Sequence, residues 1–130
     1  MPLENVKEAR EWMSKAATDL RVADLVLHAD PPFIEDAMFH CQQAVEKSLK
    51  GFLAYHDQPF HKTHDIDRLG KMCDEYDSGI SEILGPVRDY TMMAWLFRYP
   101  GEASVPSREE AETALTNSRS VYENIFERIR

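Results

Sequence analysis

Residues 33–55, FIEDAMFHCQQAVEKSLKGFLAY, decide the fold. Ile34, Ala37, Met38, Cys41, Val45, Leu49 and Phe52 follow the three-and-four spacing of a helix with one buried face. Ala44 and Ser48 are small enough beside that face for a neighbouring helix to come close. Pro31-Pro32 bars extension backwards, and Pro59 marks a loop at residues 57–61.

Working outward, the same period recurs. Trp12, Ala16, Leu20, Ala23 and Leu27 form one apolar stripe, which predicts a first helix over residues 6–28. Thr63 or Asp65 can cap a short helix over residues 66–76. A fourth is expected over residues 78–97, with Pro86 inside it as a kink or a break. Ser107-Arg108-Glu109-Glu110 reads as a capping box, opening a last helix through Ala111, Leu115, Ser118, Tyr122, Ile125 and Ile129. No alternating strand pattern competes. The expectation is an all-α chain, residues 1–130 in a single domain, built as an antiparallel up-and-down bundle of four long helices plus a short one.

Composition narrows the function classes. Of 130 residues, 43% are hydrophobic, enough for one core. No apolar run is long enough for a membrane span, and residues 1–12 carry no signal core. Cys41 and Cys73 are too few for a disulfide framework or a four-sulfur metal site, so a cytoplasmic setting is expected. A net charge of −8 argues against broad duplex DNA binding, although it does not exclude one local basic pocket.

Three stretches could carry chemistry. In HKTHDIDRL, residues 61–69, His61 and His64 could share a metal ion or act in acid–base transfer. A zinc site needs a third or fourth ligand, which His40, His56 or Asp65 would supply only if folding gathers them. We therefore prefer a helix start in which Thr63 and Asp65 cap and His64 fixes the turn, and expect no metal and no cofactor. His40, Gln43, Lys47 and Lys50 form a polar stripe that could meet phosphate. The simpler expectation is a solvated face carrying a Glu46–Lys50 pair. Residues 90–97 are apolar almost all round. A helix of that kind must be covered on more than one side, which predicts a subunit or partner interface including Met92, Met93, Leu96 and Phe97.

The segment FHCQQAVEKSLKGFLAYHDQPFHKTHDIDRL, residues 39–69, resembles the signature of the HEPN family. KAATDLRVADLVL, residues 15–27, and AWLFRYPGE, residues 94–102, fit the same family, so the likeness covers nearly the whole chain. The resemblance implies an antiparallel helical bundle, usually a homodimer. Small members are often encoded beside a minimal nucleotidyltransferase as toxin–antitoxin-like pairs. Some are metal-independent ribonucleases, and others bind nucleotides or support a partner.

HEPN ribonucleases share an Arg-x(4–6)-His motif near the later helices. Here no histidine follows Arg88 or Arg98, and the one match, Arg21 to His28, lies in the first helix. The resemblance thus points to a dimeric binding module rather than an enzyme, with a nucleotidyltransferase partner and a nucleotide or RNA ligand. Arg98 could fork two hydrogen bonds to a phosphate and Tyr99 could stack on a base. Equally, Pro100 could end a helix while Tyr99 packs and Arg98 pairs with a carboxylate. The candidate ligand-binding residues are Arg98, Tyr99, Lys47, Lys50 and His40, with His64 and Arg98 as weak catalytic candidates. Light scattering at micromolar concentration is expected to give the mass of a dimer. A monomer would count against the interface at residues 92–97.

Overall fold

Leu3–Leu27 form helix α1 in the structure, a computed structural model that describes residues 2–60, 62–94 and 106–130. Its stripe of Ala9, Met13, Ala16, Leu20, Ala23 and Leu27 is buried. After the proline turn the chain returns as α2, Ile34–Tyr55, whose expected apolar positions from Ala37 to Phe52 are buried. The two helices run antiparallel: Gly51 near the end of α2 lies against Ala9, Trp12 and Met13 near the start of α1. Asp19, farther along α1, meets His40 and Lys47, farther back on α2.

Gly51 sets how close these helices approach. A Cβ there would lie 2.9 Å from Met13 Sδ, 3.2 Å from Trp12 Cβ and 3.4 Å from the Ala9 carbonyl. Larger residues would push α1 away from the face on which the core is built.

Residues 57–60 and 62–65 lie along α2, because the Gln58 N–H bonds to the Leu53 carbonyl while His64 reaches Glu46. Helix α3, Ile66–Asp74, then begins at Asp65, whose side chain accepts from the Arg68 N–H. Thr63 assists one step earlier by accepting from the Asp65 N–H.

Over the described part, residues 78–94, the long helix expected over residues 78–97 is not present. In its place stand a single turn, α4, Ile80–Ile83, and a 3-10 helix, Gly85–Ala94. Pro86 has no N–H to give, and its ring would collide with the carbonyl four residues back. The chain tightens to bonds spanning three residues instead, Leu84 N–H to Ser81 O and Val87 N–H to Leu84 O. Leu84, Val87 and Tyr90 are buried at intervals of three, the period of a 3-10 helix rather than of an α-helix. Ten residues is long for this helix type, and tertiary bonds hold it. Arg88 bonds to Asp67 and to the Ser81 carbonyl, and Thr91 Oγ1 accepts from the Ile66 N–H.

Helix α5, Arg108–Ile129, opens on the expected capping box, with Ser107 and Glu110 bonded in both directions. It packs mainly on α2, and its Arg128 reaches Asp77 at 2.7 Å. The described residues are thus all-helical, with three long helices rather than four. Cys41 and Cys73 are free and buried; burial pushes the Cys41 thiol up to about 12 and Cys73 higher still. Among the described residues no helix is long and apolar enough to cross a membrane.

Gly51→Val is expected to lower stability in urea unfolding by roughly 2–3 kcal/mol through overpacking at the α1–α2 crossing. Gly85→Ala, where a Cβ would meet nothing within 4 Å, should stay within about 0.5 kcal/mol of the parent.

Candidate functional site

Positions 42, 46 and 50 of α2 are four apart and so share a face, and all three are polar. None is solvated: Gln42 is 0% exposed, Glu46 3% and Lys50 6%. Glu46 is the hub. Its Oε2 accepts from Lys50 Nζ at 2.9 Å, and its Oε1 takes Gln42 Nε2 at 3.0 Å and His64 Nδ1 at 2.7 Å. Gln42 is oriented in turn by Gln43, whose Nε2 donates to Gln42 Oε1 at 2.7 Å. Burial pushes the Glu46 carboxyl up, but the hydrogen bonds from Lys50, Gln42 and His64 outweigh it and hold the group below the ordinary carboxylate range.

An ionised carboxylate can only accept, so His64 Nδ1 carries the proton toward it. That leaves Nε2 as the outer nitrogen of a ring that is 63% exposed. Helix α3 begins two residues later, so the same contact pins the helix start to α2.

A second acid stands on the adjoining face. Asp19 of α1 is buried, with His40 Nδ1 at 2.8 Å from Oδ1 and Lys47 Nζ at 2.7 Å from Oδ2. His40, Gln43, Lys47 and Lys50 therefore do not form the solvated face expected of them. Lys50 is inside, and His40 and Lys47 are half-buried on one carboxylate. The counter-charge of His40 and Lys47 is Asp19 of α1, which the periodicity of α2 alone could not show; that of Lys50 is Glu46 on α2 itself. The expected Glu46–Lys50 pair is present, but it is buried.

Asp19, Glu46 as a hub, and Gln42 were not singled out from the sequence. One signal was available: Asp19 interrupts the apolar run Ala16, Leu20, Ala23 of α1 at a core-facing position.

Other expected groups are placed separately. His61, Leu96, Phe97, Arg98 and Tyr99 lie outside the described residues, as does the side chain of Met93. Met92 is 49% exposed. The Thr91 bond to Ile66 puts the end of the 3-10 helix beside the start of α3, close in the chain to His64. His28 turns back onto Asp24 of its own helix rather than toward Arg21. His56 stacks on Tyr76 with ring centroids 4.5 Å apart; burial lowers its pKa against the opposing pull of Asp77. Among the described residues no three His, Cys, Asp or Glu side chains converge to hold a metal ion.

Glu46→Gln should cost roughly 3–5 kcal/mol near neutral pH, because it leaves Lys50 buried without its counter-charge. Since Glu46 sits below its ordinary value of 4.5 in the folded state, its contribution is full above that value. The contribution is lost as pH falls through the lowered folded value. The stability gap between parent and variant should therefore narrow in acid; a gap independent of pH would contradict an ionised Glu46.

The family comparison agrees with this architecture over nearly the whole chain, matching the HEPN domain at residues 9–129. No curated protein and no solved structure matches. With α1, α2, α3 and α5 falling almost entirely inside that match, the chain belongs to the HEPN family.

Proposed function

We propose that this HEPN protein is a dimeric binding module that partners a minimal nucleotidyltransferase and takes a nucleotide or RNA phosphate beside His64, with Arg98, Tyr99 and Lys47 as ligand groups. The observation that carries the proposal is the charge network on α2. Two buried carboxylates hold His40, Lys47, Lys50 and His64 in set positions, and three of the four reach the core or its edge. Lys47 and His40 share the single carboxylate of Asp19, so this edge carries no excess negative charge when His40 is neutral and a positive one when it is protonated. The absence of the Arg-x(4–6)-His spacing from the later helices supports binding over cleavage.

One observation favours the alternative, a metal-independent ribonuclease with a degenerate site. A histidine with Nδ1 on an ionised carboxylate and an exposed ring is arranged as an acid–base group would be. A purely structural domain is the third case, in which neither nucleotide nor RNA shifts the melting temperature.

Calorimetric titration with ATP and with a short single-stranded RNA distinguishes these. Binding is expected, weakened at least about tenfold in Arg98→Ala with helix content unchanged. Unchanged binding would remove Arg98 from the site. In the same preparations the ribonuclease alternative requires RNA cleavage that survives a chelator and disappears in His64→Ala; no cleavage by the parent protein ends it.

A further inference from the structure

The ring of Trp12 on α1 meets that of Phe60 in loop 57–65 edge to face, with centroids 5.8 Å apart. The buried Lys50 ammonium lies 5.6 Å from the first centroid and 5.8 Å from the second. This aromatic pair already holds one cation, neutralised by Glu46. The same two rings also line an open cleft of about 320 Å³, whose rim carries Glu8 and Asp57. From Glu8 and Trp12 a smaller cleft of about 200 Å³ continues past Glu11 to Lys15.

The polar groups of the main cleft differ in what they have left to offer. Gln58 is engaged on both sides, accepting from the Tyr76 hydroxyl and donating to the Pro59 carbonyl. The carboxylates of Glu8, Glu11 and Asp57 have no ion pair or hydrogen bond among the described residues. The loop that presents Asp57 is tied to α2 by Asp57 N–H to Ala54 O and Gln58 N–H to Leu53 O.

These features select a class of occupant. Phosphate is repelled by the carboxylates. A calcium or magnesium ion needs six or more oxygen ligands, and aromatic faces supply none. A neutral apolar group would strip water from the carboxylates without replacing it. A guanidinium or alkylammonium satisfies both parts, its charge over the ring faces and its N–H groups on the acids. The cleft is open, so a free small cation would stay largely in water and bind weakly. A side chain carried by a protein surface is held there by the contacts around it.

We propose that the Trp12–Phe60 cleft is a docking point for an arginine or lysine side chain of a partner protein, with Glu8 and Asp57 as its counter-charges. This docking point does not require a phosphate beside His64.

The test is calorimetric titration of the full chain with a capped peptide carrying two arginines, at low and at moderate salt. Saturable binding is expected that weakens with salt and falls roughly tenfold in Glu8→Gln/Asp57→Asn. Both positions are exposed, and asparagine tolerates the left-handed backbone at Asp57, where φ is 55°. Glu109→Gln, on exposed α5 surface, should bind as the parent does. No binding of the peptide, or equal binding by the double variant, overturns the proposal. Arginine amide binding as tightly as the peptide overturns the assignment to a protein partner.

Discussion

Taking a carboxylate and an ammonium out of water together costs several kcal/mol per ion unless every remaining donor and acceptor finds a partner. The interior of this protein is arranged around that demand at Glu46 and Lys50. Gln42, His64 and Lys50 fill the carboxylate, while the rings of Trp12 and Phe60 flank the ammonium. Gln42 and Lys50 come from α2, Trp12 from α1, and Phe60 and His64 from the loop before α3. Meeting the demand therefore joins α1, α2 and loop 57–65 at one place and sets where α3 begins.

The helices make room for this arrangement. Gly51 allows α1 to lie close enough to α2 for Trp12 to reach Lys50, and the same approach brings Asp19 to His40 and Lys47. The 3-10 helix closes the other side. It satisfies the first free amide of α3 through Thr91 and buries Leu84, Val87 and Tyr90 along one edge. Steric collision at Pro86 explains why this edge is not an α-helix, and the three-residue apolar spacing explains why the tighter helix still packs.

The outward chemistry then divides by what the interior has used. His64 and Lys47 are charged or polar groups positioned by buried acids, the setting proposed for a phosphate. Beside the Trp12–Phe60 pair, Glu8 and Asp57 are acids with no ion pair or hydrogen bond among the described residues, the setting proposed for a basic side chain. In a chain of net charge −8, buried ion pairs thus leave groups of different character at the surface around one internal pair.

Much of the fold was legible in the residues themselves. The stripes of α1, α2 and α5, the proline stop at Pro31-Pro32, the Asp65 cap and the Ser107 capping box are local features, decided by period and turn chemistry within a few residues. The motifs at residues 15–27 and 39–69 also pointed to the HEPN family, which the match over residues 9–129 bears out. The 3-10 helix was half legible, since Pro86 announced a break but not what replaced the helix. The polar network was not legible as a network. His40, Gln43, Lys47 and Lys50 read as a solvated stripe because a helix pattern shows which residues share a face, not what covers it. Only the tertiary structure brought Asp19 of α1 to His40 and Lys47, and His64 with the Trp12 and Phe60 rings to the buried Glu46–Lys50 pair.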